Sequence, residues 1–470
     1  MAIINDVWTY LQNAIKNSVG IDRDLMQLLS DKDIDKAKEL FQNRDNDVKR
    51  SIAEYNPAQH EVMKRPDKKR KGKEPYKVQK LPRAWQRYIN EIALFFLLAK
   101  PIIWKEVDSN DTSEVAFKAF EDFLKDLRIN VKIREMKRLA GAETESALIF
   151  HIYDDEGVAT VKANVISMSR GYTLRPLLDQ YQNMIAFAFG YYLKENGVAV
   201  EHFDILTSKY TYRCSKKTAG IGWNIDTVSN PVGKICAIYC RQDREWDGTE
   251  VRINRDEHVD SKSADVNEYF ADPTVVATAD VLKSLSDPES VGKVVQLTGN
   301  TSRFEYVEPP TSVEMKDFEK KTLRDSILMD SFTPDFTYEN MKGTGTLSGE
   351  ALRRALILGF IKRDLRMEIY DEIVDRLKNV ILAIMSNITH VSLKSSIAQL
   401  NIHHEFSEPF TDDSNSVWRA VGQAYSDGIM SLETAIDMLG LANPIDELNR
   451  IKAERQEKEE ALRYPIGGNE

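Results

Sequence analysis

Three glycines, Gly343, Gly345 and Gly349, fall within seven positions of the stretch ENMKGTGTLSGEALRRAL (339–356), directly ahead of a long apolar helical pattern. A glycine loop running into a helix is a phosphate cradle in many enzymes, because its backbone N–H groups converge on an anion at the helix N-terminus. The neighbouring residues do not fit that chemistry. A phosphate loop needs lysine directly after its last glycine, and here Glu350 stands in that place. The spacing G-x-G-x-x-x-G misses the dinucleotide fingerprint by one residue. No apolar strand precedes the loop, since SFTPDFTYENMK contains a proline and alternates poorly. Local sequence leaves two readings: a flexible linker in which Ser348 caps the next helix, and a loop that touches something in transit.

Other residues with chemical potential are weaker still. His403-His404-Glu405 lacks the H-E-x-x-H spacing of a zinc site, and adjacent histidines on a strand point to opposite faces, so a surface or interface role is expected. Cys214, Cys236 and Cys240 give an odd count without a disulfide framework. Cys236 and Cys240 share a face of the strand-like GKICAIYC but stand too far apart to bond, and no second Cys or His pair accompanies them. They read as buried structural thiols of an intracellular chain. No Ser/His/Asp order, G-x-S-x-G elbow or catalytic carboxylate pair stands out, so neither enzymatic activity, a cofactor nor a metal is expected.

The elements around these residues follow from periodicity. Helical patterning covers 1–60, with Asp and Ser in capping positions, then 83–103, ending at Pro101, and 113–146. Near 147 the period switches to two. ALIFHIYDDEGVATVKANVIS holds two alternating runs joined by Asp-Asp-Glu-Gly, a hairpin signal, and further strands make 147–241 an antiparallel β-rich unit in which His151 and His202 are plain sheet residues. Helical 244–273, a short αβ tip, and the capped helix 311–332 then suggest two rods holding a small domain at one end. From 348 to 390 the apolar spacing runs without proline, and at about 1.5 Å per residue an unbroken helix would be a structural spine, with Gly359 a place for a kink. The C-terminal part is helical and highly charged.

Composition is that of a globular protein: 470 residues, 42% hydrophobic, 29% charged, formal net charge −10. No run of about 18 apolar residues indicates a membrane span, and the N-terminus has no signal-peptide pattern. Residues 241–331 hold 12 Lys/Arg against 20 Asp/Glu, a net of −8, so most of the charge sits in the helix–tip–helix segment. Such a surface repels a nucleic-acid backbone; lining a passage, it would keep a duplex sliding. The run KRPDKKRKGKEPYKVQK (64–80) is the opposite case, nine Lys/Arg against two acids, and reads as a solvated connector or as a patch for a phosphate backbone or an acidic neighbour.

The order of these parts resembles the portal proteins of tailed bacteriophages, the head–tail connector family, over roughly 50–460. RYINEIALFFLLAKPI is similar to the family's early helix, and NPVGKICAIYCRQ to its conserved-type strand, with Cys236 where proline is usual. SADVNEYFADPTVVAT resembles the first stem helix entering the clip, MKGTGTLSGEALRRAL the start of the long wing helix after the tunnel loop, and SLETAIDMLGLANPIDELNRIKAE the crown helices.

The resemblance implies a mainly α fold with α+β portions. Its parts would be a wing (1–243, β-rich at about 147–241), stem helices (244–271 and 312–332), a clip (272–311), a tunnel loop (338–348), a long wing helix (348–399) and a crown (400–470). It implies a ring, typically of twelve subunits, at a capsid vertex of the virion, assembled in the host cytoplasm, through which double-stranded DNA is packaged and ejected. Its partners would be the terminase large subunit, major capsid and scaffolding proteins, and head-completion proteins, with no membrane. The implied DNA-facing loop is Lys342, Gly343, Thr344, Gly345 and Thr346, with Ser348 and Gly349 capping the long helix. Glu314, Asp317, Glu319 and Asp325 would be acidic channel residues, and Asp287, Glu289, Lys293 and Arg303 clip contacts. A nucleotide-dependent enzyme using the 343–349 loop and a virion adaptor without a channel stand as alternatives.

Overall fold

The computed structural model describes residues 24–68, 75–107, 111–195, 197–217, 221–271, 275–277, 304–306, 313–337, 353–410, 414–439 and 444–463. The chain forms two compact units, one of residues up to 335 with 357–407, the other of 336–356 with 408–470.

The first unit is built in layers around two antiparallel sheets. A three-stranded sheet has the order β3 (Val158–Ile166), β2 (Glu145–Asp155), β9 (Ala237–Arg241). The hairpin signal at Asp-Asp-Glu-Gly is a two-residue turn, with Glu156 and Gly157 both at positive φ between the paired Asp155 and Val158. That twist matches the flanking strands. A five-stranded meander runs β4 (Thr173–Leu178), β5 (Met184–Glu195), β6 (Val198–Leu206), β7 (Tyr210–Lys216), β8 (Trp223–Ser229).

The run ALIF is apolar throughout because β2 is covered on both faces. Ala147 and Ile149 meet Phe187, Phe189 and Leu206 of the second sheet. Leu148 and Phe150 instead join the main core with helices α4 (Trp85–Leu98), α5 (Asp111–Asp126) and α6 (Ile129–Glu143). The far face of the meander, with Phe203, Ile205, Tyr212 and Trp223, is closed by helices α1 (24–30) and α2 (Ile34–Leu40) through Leu25, Leu29, Ile34 and Ala37. Asp33 caps α2 by accepting from the Lys36 amide at 3.2 Å. Helix α3 (Asp45–Tyr55) follows. All three cysteines are free and buried.

Two rods follow the sheets: α7 (Glu250–Ala271) and α8 (Val313–Asp330). Between them, β10 (Val275–Ala277) pairs antiparallel with β11 (Phe304–Tyr306). The first rod begins at Glu250 rather than 244 because Glu245 and Trp246 turn into the core.

The spine helix α9 spans Ile357–Ile384, 28 residues or about 42 Å, with residues 353–355 also helical just ahead of it; the start of the expected long helix, 348–352, lies outside the described residues. Its end is a π turn at Met385–Thr389, closed by His390 N donating to Met385 O, after which the chain bends by 114°. Polar contacts hold the turn in place: Asn387 Nδ2 donates to Val232 O and its Oδ1 accepts from Lys394 Nζ. Gly359 marks no kink but a close approach, since a Cβ there would lie 2.3 Å from Phe96 Cζ of α4. After α10 (Lys394–Ile397), β12 (Ile402–Glu405) pairs with β1 (Ile103–Glu106), so the first unit extends to Ser407, past the expected boundary at 400. On β12, His403 is exposed and His404 buried, on opposite faces.

The second unit holds α11 (Ser414–Ser426), α12 (Leu432–Met438), capped by Ser431 through the Thr434 amide, and α13 (Pro444–Arg463). No single helix among the described residues is long and apolar enough to cross a membrane.

Candidate functional site: two rods, a strap and an ionic anchor

The rods pair with antiparallel charges. Arg252 reaches Asp330, Arg255 lies 2.6 Å from Glu319, and Lys320 lies 2.6 Å from Asp260. Along the other side of α7 lies an extended strap. Gln79 N donates to Asp265 Oδ1 at 2.6 Å, Leu81 N to Ser261 Oγ at 3.0 Å, and Arg83 N to Glu257 Oε1 at 2.8 Å. Alternate amides of an extended chain repeat about every 6.6 Å, and every fourth helical residue repeats about every 6.0 Å, so the two series match over these rungs. Arg65 pairs with Asp265 at 2.8 Å, Trp85 Nε1 donates to Asp256 at 2.8 Å, and buried His60 meets Glu257 at 2.6 Å. Burial works against the charged imidazole, but Glu257 outweighs it and raises the His60 pKa above its ordinary value. The basic run at 64–80 therefore meets an acidic neighbour of its own chain at Arg65.

This pairing changes the meaning of the acidity. Asp256, Glu257, Asp260 and Asp265 on the first rod, and Glu319 and Asp330 on the second, are engaged within the chain. Of the four acidic candidates on the second rod, Glu314, Asp317 and Asp325 are exposed and carry no ion pair among the described residues, while Glu319 is half-buried against Arg255. Beside them stands an exposed apolar stripe, Met315, Phe318 and Met329. Lys342, Gly343, Thr344, Gly345, Thr346, Ser348 and Gly349 lie outside the described residues, as do Asp287, Glu289, Lys293 and Arg303.

At the roots of the rods is a buried ionic cluster that the sequence reading missed. Glu245, fully buried, accepts from Lys137 of α6, from Gln242 at 2.8 Å and from Arg366 of the spine at 3.1 Å, with Lys362 of the spine 3.4 Å away. Gly141 leaves room for it: a Cβ there would lie 3.1 Å from Glu245 Cγ. Burial alone would raise the Glu245 pKa, but Lys137, Lys362 and Arg366 together hold it well below the usual carboxylate range. With three cations on one anion, burial pulls Lys362 down to about 8 and lowers Lys137 too. Trp246 wedges beside the cluster against Ile253 of the first rod and Ile327 of the second. The available signal was Lys362 and Arg366 standing four apart in step with Gly359, Tyr370 and Val374 on the buried face of the spine.

Among the described residues no group of three or more His, Cys, Asp or Glu is placed to hold a metal.

No curated protein sequence matches the chain. Among solved structures it is similar to a chain in the neck of an empty gene transfer agent particle, computed with C6 symmetry, at 11% identity and a TM-score of 0.43, covering 76% of this chain and 89% of that one. A chain in the virion of a native gene transfer agent particle is similar at 13% identity and a TM-score of 0.38, with the same coverage. The model of a phage portal protein family, SPP1 Gp6-like, matches residues 30–461, a span containing both rods, the strap, the spine and the C-terminal helices; the chain belongs to that family.

Proposed function

We propose that this chain is the repeating subunit of a ring-shaped portal at one capsid vertex, the conduit through which double-stranded DNA enters and later leaves the particle. The observation that carries this reading is the family match over 30–461. The exposed stripe of Met315, Phe318 and Met329 supports assembly, because an apolar helix face left in water is a surface for a partner. The ring has about twelve copies and resides in the virion.

In this reading the rods are stem helices, 272–311 is the clip, and 1–243 with the spine is the wing. The clip meets the terminase large subunit during packaging and head-completion proteins afterwards, through Asp287, Glu289, Lys293 and Arg303. The wing meets capsid and scaffolding proteins, and residues from about 400 form the crown. Loop 338–348 reaches the duplex, and Lys342, the basic residue between Tyr338 and Gly349, contacts its phosphates. The exposed carboxylates Glu314, Asp317 and Asp325 repel the same phosphates, so the duplex is guided without being held. The subunit catalyses nothing; a separate ATPase drives the movement.

Electron microscopy of the purified protein tests the assembly. Rings with a central opening wide enough for a duplex are expected, and monomers or closed particles would overturn the reading. Lys342→Ala is expected to slow DNA packaging about twofold or more in a packaging assay, through loss of one phosphate contact per subunit. Packaging at normal speed and to normal length would remove Lys342 from this role.

A further inference from the structure

The two rods leave and re-enter the body of the first unit at Glu245 and Ser331, and one side chain holds both points. Lys362 of the spine donates from Nζ to the Glu245 carbonyl at 2.9 Å and to the Ser331 carbonyl at 2.9 Å, with the Glu245 carboxylate 3.4 Å away. An ammonium has three N–H donors, and here each faces an acceptor. Glu245 lies just ahead of the first rod, and Ser331 directly follows the second.

Among the described residues the spine packs chiefly against α4 and β9. Among the described residues Lys362 thus ties the spine to both rod roots at once, reinforced by Arg366 on the Glu245 carboxylate. Lys362 is nearly fully buried, so water cannot easily take its place at the two carbonyls. Thr333 Oγ1 also donates to Ser331 O, but it belongs to the same turn and ties the second rod to nothing else.

We propose that Lys362 is a positioning residue that fastens the roots of both rods to the spine helix, so that rods and spine move as one body. This concerns the chain itself and goes beyond the portal reading: it stands or falls without DNA and without a ring. Its consequence for a conduit is that a push on the rods is delivered to the spine directly, not through a free hinge.

Hydrogen exchange on the full chain, followed by mass spectrometry, tests it. Lys362→Met keeps the length and apolar stem while removing all three donors. Exchange is expected to rise about tenfold at both roots together, at the amides of Thr249 and Ile253 and at those of Ser331 and Thr333, while the β5–β6 amides keep their protection. A rise at one root alone, no rise, or an even rise across the sheets would overturn the proposal.

The wild-type chain supplies a second measurement should the variant fail to fold. Lys362 is flanked by Glu245, Lys137 and Arg366, with Cys240, whose thiol burial pushes up to about 11, and Tyr370, held above its ordinary range by burial, close by. At pH 9.5 the lysine is largely the neutral amine, which keeps two N–H groups for the two carbonyls. After correction for intrinsic exchange rates, protection at both roots is expected to match that at pH 7. Its loss at both roots would show that charge, not bridging, holds them, and would overturn the proposal.

Discussion

Replacing Glu245 with glutamine is expected to lower stability by about 3–5 kcal/mol, the range for removing one partner of a buried ion pair. The substitution preserves shape and leaves Lys137, Lys362 and Arg366 facing one another without an anion. The damage should centre on the joint, because Lys137 belongs to α6 and the other two cations to the spine. A calorimetric melt gives the size of the effect. Adding Lys137→Met to Glu245→Gln should recover part of the loss, since it deletes one stranded charge and keeps the volume. A double variant no more stable than the single one would mean that the cluster is held by packing and not by charge balance.

The same cluster gives a pH dependence of known sign. Glu245 has its ordinary value near 4.5 in the unfolded chain and a far lower one when folded. Its contribution is therefore complete above about pH 4.5 and fades as acid protonates the unfolded chain first. Lys362 acts on the alkaline side. It falls from 10.5 to about 8 on folding, so between those values the unfolded chain holds more protons and stability from this group rises with pH. Melting temperatures from pH 3 to pH 10 should show an acid limb that is shallower in Glu245→Gln than in the parent.

Gly359→Val is the second large effect. Any Cβ at 359 falls within 2.3–2.6 Å of three atoms of the Phe96 ring, and Phe96 is itself fully buried and set edge-on to Phe360. The ring cannot retreat without disturbing the core between α4 and the spine, and a cost of about 3 kcal/mol is expected. In a Phe96→Leu background the same substitution should cost at least about 1 kcal/mol less, the coupling expected of residues in contact. Equal cost in both backgrounds would move the clash elsewhere.

Local patterns were easy to read. Alternation marked β2 and β3, Asp-Asp-Glu-Gly marked their turn, Asp and Ser in capping positions marked helix starts, and Pro101 an end. Each of these depends on residues a few positions apart. The anchor and the strap were not legible for the opposite reason. Glu245 meets Lys137 and Lys362, which are 108 and 117 positions away, and Glu257 meets His60 at a separation of 197. A count of charge along 241–331 suggested an acidic surface because it could not see that partners elsewhere consume much of it. The π turn that closes the spine was not legible for a related reason. The apolar spacing of the spine continues through Asn387 and Thr389, but the π turn answers to Val232 and Lys394, which lie outside the helical pattern.

The strap has one more consequence. Its amides and the acceptors on α7 are two scales of nearly equal pitch, about 6.6 and 6.0 Å, which act as a vernier and coincide at one setting. Over two intervals the slip reaches only about 1.2 Å, which three hydrogen bonds tolerate; further rungs would lose alignment. The next position along the helix is also Ile253, whose side chain has no acceptor to offer. Sliding the strap by one rung would leave an amide opposite an apolar residue and a carboxylate without its donor. Five residues, Gln79 to Arg83, thus set the height of the first rod against the body that carries it.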